Sequence, residues 1–111
     1  MIQTGYTIIK ADGSESEHTI DWPEEPGLAH LRALLTPILD GGRLEHVLVK
    51  WRDQRTDMFV DEQFFEKNLP RNDKATDIYR SYFLSGHPGE NPENLSHIRG
   101  TAILFHRRVW F

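Results

Sequence analysis

The sequence contains no cysteine among its 111 residues. Disulfides and cysteine-based nucleophiles or metal ligands are therefore excluded, and nothing in the chain requires an oxidising compartment. No stretch approaches the ~18 consecutive apolar residues of a membrane-spanning helix, and the first residues lack the basic and apolar regions of a signal peptide. We therefore expect a cytoplasmic protein without a membrane partner.

The sequence also lacks the short motifs that carry common chemistries. None of the six histidines has a metal-site spacing such as H-x-H or H-E-x-x-H, and no serine lies in a G-x-S-x-G frame. Gly41-Gly42 lacks the lysine of a phosphate-binding loop. We predict no metal, no cofactor and no assigned catalytic residue. One enzymatic alternative stays open, in which Asp61 orients His46 as a general base.

Charge is distributed unevenly along a chain whose net charge is −4. Residues 1–30 carry six acidic side chains and one basic side chain, whereas residues 98–111 carry three arginines and no acid. One interpretation makes the two ends neighbours in a sheet, where they partly neutralise each other. The other makes Arg107, Arg108 and Trp110 a basic, aromatic patch that binds an anion such as single-stranded nucleic acid.

Alternating apolar residues predict a central β-hairpin. Val47, Val49 and Trp51 would share one face of a strand, and a second apolar run follows a polar loop at residues 52–55. We expect Trp51 to lie opposite Thr56. The same register pairs Val49 with Met58, Val47 with Val60, Lys50 with Asp57, Leu48 with Phe59 and His46 with Asp61.

An earlier hairpin is predicted at the start of the chain. Residues 6–10 and 15–21 flank Asp12-Gly13, which is a strong two-residue turn signal. We expect Lys10 to lie opposite Glu15.

Two helices are predicted. Leucines at three- and four-residue steps indicate an amphipathic helix from Leu28, which Pro37 should end or kink. A second helix is expected over residues 73–85, with Asn72 or Asp73 as its N-cap.

The final part of the chain is expected to return to the sheet. A last strand is predicted over residues 98–105, where Gly100 indicates a bulge or a close backbone approach. The tail at residues 106–111 could continue this strand. Together the elements predict one α+β domain over residues 1–111, with about five strands in an antiparallel or mixed sheet and two main helices on one face.

The order of short motifs resembles that of a known family. A leucine-rich helix and Gly41-Gly42 precede the pair Asp61-Glu62, and an L-P-x-N-x-x-A-T segment begins at Leu69. An I-x-G-x-A segment begins at Ile98. Over roughly Leu28 to Leu104 the chain resembles small bacterial and phage- or plasmid-borne proteins with a domain of unknown function. The resemblance implies an accessory protein encoded on a mobile element, and carries over no catalytic residue.

The absence of a catalytic constellation favours a non-enzymatic module that binds a protein partner. The candidate surface combines Glu62, Arg71 and Asn72 with the polar loop at residues 85–97. The alternative for Asn72 is a purely structural helix cap. A nucleic-acid-associated factor that uses the C-terminal patch is the second hypothesis, and a small enzyme with a site near His46 and Asp61 is the third.

Overall fold

The computed structural model describes residues 1–91 and 95–111. Two β-hairpins are each followed by a helix, and a short fifth strand comes last. The elements are β1 (Ile2–Ile9), β2 (Glu15–Trp22), α1 (Leu28–Ile38), β3 (Leu44–Trp51), β4 (Gln54–Asp61), α2 (Asp73–Gly86) and β5 (Ala102–Phe105).

The five strands form one antiparallel sheet in the order β2-β1-β5-β4-β3. The last strand therefore lies at the centre, between the two hairpins. The Cα radius of gyration is 13.7 Å, close to the ~13 Å expected for one compact domain of this length. The predicted α+β class, with five strands and two helices, is confirmed.

The two helices lie on opposite faces of the sheet, so the prediction that both pack on one face is wrong. Ile103 and Phe105 of β5 share a core with leucines of α1. Ala102 and Leu104 belong to a second core, together with Ala75 of α2. Because successive side chains of a strand point to opposite faces, the four buried residues of β5 need a cover on both sides.

The second hairpin has a tighter turn than predicted. Arg52 and Asp53 both have positive φ, at 49° and 63°, as a two-residue type I′ turn requires. Trp51 consequently lies opposite Gln54 rather than Thr56, and every predicted pair is shifted by two residues. A shift of two leaves each side chain on its predicted face.

The first hairpin also differs by one residue. Ile9, not Lys10, lies opposite Glu15, because the loop contains three residues rather than two. Gly13 adopts a φ of 92°, and its N–H donates to the Lys10 carbonyl. Asp12 accepts hydrogen bonds from the N–H and hydroxyl of Ser14, which lower the pKa of this carboxyl.

The helix boundaries agree closely with the predictions. Helix α1 includes Pro37 in its last turn and ends one residue later. Gly41, with a φ of 78°, then donates its N–H to the Thr36 carbonyl. Asn72 is the N-cap of α2, and its side chain accepts a hydrogen bond from the N–H of Ala75.

The last strand is shorter than predicted. Residues 98–100 instead pair with residues 70–72, through the Asn72 N–H to the Ile98 carbonyl and the Gly100 N–H to the Pro70 carbonyl. Gly100 has a φ of 78°, and a Cβ there would lie 2.7 Å from Leu69 Cδ1. The predicted close backbone approach at Gly100 is therefore present. Residues 106–111 do not continue β5.

The two ends of the chain are neighbours in the sheet, since β1 pairs with β5. This arrangement agrees with the first interpretation of the charge asymmetry. Among the described residues, no helix has the length and apolar composition needed to cross a membrane.

Candidate functional site

Strand β3 forms one end of the sheet, and its outer side pairs with no strand in the described part of the chain. The Glu62 N–H donates to the Arg43 carbonyl at 2.8 Å, which makes this a hydrogen-bonded pair just beyond the strand. Bonded and non-bonded pairs alternate along an antiparallel ladder, so the odd-numbered residues of β3 bond to β4. The backbone groups that point away from the sheet are those of Leu44, His46, Leu48 and Lys50.

The opposite end of the sheet is better protected against pairing. Every residue from Glu15 to Thr19 in β2 is exposed, and this strand carries three acidic side chains. Charged side chains commonly protect an edge strand. Strand β3 carries only one glutamate and one lysine, and its pairing with β4 is continuous over eight residues. The outer edge of β3 is therefore a long, regular template for another strand.

A cavity of about 460 Å³ flanks β3 on the side of α1. We call it the α1-side cavity. Arg32 and Arg43 lie in its wall, and neither side chain forms a hydrogen bond or ion pair within the described residues. Glu62 is the acid among the lining residues, so the charge of the wall is predominantly positive. The lining residues are Leu28, Arg32, Thr36, Gly41, Gly42, Arg43, Leu44, His46, Phe59, Glu62 and Trp110.

A second cavity, of about 450 Å³, lies beside β3 on the side of α2. We call it the α2-side cavity. The consecutive residues 45–48 contribute to its wall, so it runs along the edge of the strand rather than beneath one face. Partial burial raises the pKa of Glu45, and the charge of Glu62 raises it further. The other lining residues are Phe64, Tyr79, Ser96 and Ile98.

A buried carboxylate fixes the position of His46 on this edge. Asp57 has no exposed surface, and its Oδ1 lies 2.6 Å from His46 Nε2. Nε of Arg108 donates to both carboxylate oxygens at 3.0 and 3.1 Å. The N–H groups of Val109 and Trp110 donate to Oδ2 at 2.7 and 2.9 Å. One side chain thus joins the β3 edge to the C-terminal segment.

These donors keep Asp57 ionised. Burial alone would raise the pKa of this carboxyl, but the hydrogen bonds from His46, Trp110, Val109 and Arg108 together hold it below its ordinary value. An ionised carboxylate can only accept hydrogen bonds. Nε2 of His46 therefore carries a proton, and its N–H donates a hydrogen bond to Asp57.

Aromatic contacts complete the anchor. The Trp110 ring stacks on the His46 ring with centroids 5.3 Å apart, and Phe59 contacts both rings at 5.5 and 6.0 Å. Trp110 stays 39 % exposed, so its ring forms part of the cavity wall. The C-terminal segment, the hairpin and the α1-side cavity are built around the same three rings.

The predicted pair of His46 and Asp61 is wrong. The shift of two residues places Phe59 opposite His46, and the acid that His46 contacts is Asp57. Asp61 instead accepts hydrogen bonds from Nζ of Lys67 at 2.7 Å and from the N–H of Gln63 at 2.8 Å.

The arginines of the C-terminal patch form contacts within the chain. Arg107 donates to Thr4 Oγ1 and to the carbonyls of Glu24 and Pro23, which ties the end of the chain to the start of the sheet. Arg108 is engaged by Asp57. The structure therefore gives both guanidinium groups a structural role.

The other predicted binding residues are dispersed. Glu62 is exposed and lies in the α1-side cavity with Trp110. Arg71 forms a surface ion pair with Asp73 at 2.8 Å. Asn72 is buried, and its Nδ2 donates to the carbonyls of Ile9 and Gly100. These contacts agree with the alternative in which Asn72 has a purely structural role.

The predicted loop at residues 85–97 can be followed only in part, because residues 92–94 lie outside the described residues. His87 lies in a cavity at the tip of the second hairpin, and Ser96 lies in the α2-side cavity. The described parts of the loop therefore border two different cavities.

Sequence reasoning missed Arg32, Arg43 and Asp57. Leu28, Arg32 and Thr36 recur at four-residue steps and so form one stripe of α1, which would have placed Arg32 beside the cavity. The predicted register pairs Asp57 with Lys50, whereas Asp57 lies opposite Leu48 in the structure. The predicted register therefore gives no indication that Asp57 contacts His46.

Within residues 1–91 and 95–111, no group of three or more histidine, aspartate and glutamate side chains is arranged to hold a metal ion. Among the described residues, the fold is an α+β domain in which the edge strand β3 is flanked by two cavities. No family model, curated protein or solved structure matches the chain. The resemblance to small phage- or plasmid-borne proteins stays a prediction.

Proposed function

We propose that this protein is a non-enzymatic binding module, which pairs the outer edge of β3 with an extended segment of a partner protein. One observation carries the proposal. A regular eight-residue edge strand, without a pairing strand among the described residues, has a cavity on each of its two flanks.

Strand addition uses both parts of this geometry. The outward N–H and C=O groups of β3 supply main-chain hydrogen bonds, which give affinity without sequence preference. Side chains of the added strand alternate between the two faces. Successive residues of the partner would therefore enter the α1-side and the α2-side cavities in turn, and these cavities supply specificity.

The two cavities favour different side chains. Arg32 and Arg43 form no contacts with a carboxylate among the described residues, so an acidic side chain of the partner suits the α1-side cavity. Phe64, Tyr79 and Ile98 give the α2-side cavity an apolar wall. The expected partner segment is extended and alternates acidic with apolar residues.

The anchor at Asp57 supports this function by keeping the edge rigid. His46 contributes outward backbone groups, and its side chain is held by a hydrogen bond and two ring contacts. A preformed edge loses little conformational entropy when a partner binds. Trp110 also keeps the wall of the α1-side cavity in place.

The nucleic-acid hypothesis for the C-terminal patch has weaker support. Arg107 and Arg108 direct their donors to atoms of the same chain, and a phosphate would have to replace those contacts. The role of an accessory protein from a mobile element stays a proposal based on motif resemblance.

The test is a selection of linear random peptides on the immobilised protein. We expect the selected peptides to perturb the NMR amide signals of β3, and to lose binding when Leu48 is replaced by proline. Leu48→Pro removes an outward N–H without breaking a bond to β4, and Leu48 belongs to neither hydrophobic core.

Thr19→Pro is the matched control. The Lys10 N–H donates to the Ser14 carbonyl, so by the same alternation the N–H of Thr19 points outward from β2. This variant should bind the peptides as the wild type does. Failure to select any peptide, or peptides that bind equally to both proline variants, would overturn the proposal. Far-ultraviolet circular dichroism and the NMR spectrum verify that each variant is folded.

A further inference from the structure

Two like charges face each other near the tip of the second hairpin. Lys50 of β3 lies directly opposite Arg55 of β4. By the alternation along this ladder they form a non-hydrogen-bonded pair, in which the side chains approach most closely. Like charges at such positions destabilise a sheet. The pair therefore destabilises the hairpin unless an anion lies between the two cations.

The described residues do not supply that anion. Neither cation forms an ion pair or a side-chain hydrogen bond within the described part of the chain. Asp53, in the turn between them, lies within 4.0 Å of no cationic nitrogen that belongs to the described residues. Arg52 lies over the Trp51 ring at 5.3 Å. Residues 50–55 thus have a charge of +2 in a chain whose net charge is −4.

A cavity of about 460 Å³ adjoins this pair. It is lined by both cations, by Asp53 and by the end of α2. His87 is fixed there by a hydrogen bond from Nδ1 to the Phe83 carbonyl at 2.9 Å and by stacking on the Phe83 ring at 4.1 Å. Because a carbonyl only accepts, Nδ1 carries a proton, and Nε2 forms no hydrogen bond within the described residues. The lining residues are Lys50, Asp53, Arg55, Tyr82, Phe83, Ser85, Gly86 and His87.

We propose that this cavity is a binding site for a phosphate group, held between Lys50 and Arg55. A phosphate monoester carries a charge of about −1.5 to −2 at neutral pH and offers three acceptor oxygens, which matches two cations on adjacent strands. Arginine binds phosphate through two parallel N–H groups, and lysine binds it as a point charge. The hydroxyl of Tyr82, which has no hydrogen-bond partner among the described residues, adds a neutral donor.

This site is independent of strand addition. The phosphate is held by side chains at the hairpin tip, whereas a peptide is held by backbone groups along the whole of β3. Leu48→Pro should leave phosphate binding intact, and loss of the two cations should leave an outward backbone edge in place. Failure of one proposal therefore leaves the other standing.

The experiment is an NMR titration of the ¹⁵N-labelled protein with pyrophosphate at low ionic strength. We expect saturable shifts at the amides of residues 50–55 and 82–87. The double variant Lys50→Gln, Arg55→Gln should weaken binding about tenfold or more, since hydrogen bonds to charged groups are lost. Asp53→Asn removes the opposing carboxylate and should tighten binding.

Lys10→Gln is the matched control, because Lys10 is an exposed lysine at the tip of the other hairpin. Titration with a short single-stranded oligonucleotide separates the two sources of phosphate. If the oligonucleotide binds more tightly than pyrophosphate and the double variant loses this binding, the site binds a nucleic-acid backbone. If the oligonucleotide binds more weakly than pyrophosphate, the site binds small phosphate compounds. No saturable shift with either probe, or equal weakening by Lys10→Gln and the double variant, would overturn the proposal.

Discussion

His46 and Asp57 meet at 2.6 Å across two strands although they are not opposite each other in the ladder, where Asp57 faces Leu48. This diagonal contact joins the outer edge of the sheet to a carboxylate without exposed surface. Asp57 in turn holds the backbone of Val109 and Trp110. The same carboxylate therefore positions both His46, on the proposed binding edge, and the C-terminal segment.

Replacing Asp57 by asparagine should lower the free energy of unfolding by about 3 kcal/mol. The amide removes the charge that Arg108 and His46 approach. Its NH₂ group cannot accept a hydrogen bond, and donors face both carboxylate oxygens: His46 and Arg108 face Oδ1, and the two backbone N–H groups face Oδ2. Urea denaturation measures the change. Asp53→Asn is the control, because Asp53 lies exposed in the hairpin turn and should change stability by less than about 0.5 kcal/mol. Equal effects of the two variants would contradict the assigned role.

Stability should also depend on pH through Asp57. Its pKa is lower in the folded state than in the unfolded chain, where an aspartate titrates near about 3.9. Its contribution is therefore complete above that unfolded value and is lost as the pH falls through the lower, folded value. In urea denaturation across this range, the difference between wild type and Asp57→Asn should shrink on acidification. A difference that stays constant with pH would be inconsistent with an ionised Asp57.

The fold class could be predicted from the sequence because hydrophobic periodicity is a local signal. The alternation of Val47, Val49 and Trp51 and the leucine spacing of α1 each identified an element and its buried face. The placement of α2 on the second face could not be predicted from local periodicity. It depends on the central position of β5 in the sheet, which leaves apolar side chains to be covered on both faces. The unbroken apolar run from Ala102 to Phe105 was the available sign that both faces are covered.

The candidate site was less predictable because it depends on register. Arg52 and Asp53 do not form a strong turn signal such as Asn-Gly, yet both adopt positive φ. The resulting shift hid the contact of His46 with Asp57 and the opposition of Lys50 to Arg55. Composition indicates Trp110 as a candidate binding residue, and that role stays a prediction. Its stacking on His46 is a tertiary contact that no sequence spacing indicates.

Asn72 should stabilise the fold through its Nδ2 donor as well as its Oδ1 acceptor. Asn72→Asp retains the acceptor for the Ala75 N–H but places a charge against the carbonyls of Ile9 and Gly100. We expect a loss of about 2–3 kcal/mol in urea denaturation, at least as large as that of Asn72→Ala. The control Asp73→Asn removes an exposed ion pair and a negative charge in the first turn of α2, and should cost less than about 1 kcal/mol. A stability of Asn72→Asp close to wild type would leave helix capping as the sole role.

Reversing the charge of the α1-side cavity should change the peptides that the protein selects. With Arg32→Glu and Arg43→Glu, acidic residues facing this cavity should be replaced by lysine or arginine in the selected sequences. Neither side chain forms a hydrogen bond or an ion pair with another described residue, so stability should change little. Lys10→Glu plus Arg71→Glu is a control with the same net charge. An unchanged preference in the first variant, or the same change in the control, would place the binding surface elsewhere.

Amide hydrogen exchange along β3 tests the central claim most directly. In the free protein, the N–H groups of Val47 and Val49 should exchange slowly because they bond to β4, whereas those of His46 and Leu48 should exchange rapidly. Saturation with a selected peptide should slow exchange at His46 and Leu48 and leave Thr19 in β2 unchanged. If the peptide binds but His46 and Leu48 still exchange at their free rates, the outer edge of β3 is not the surface that the partner occupies.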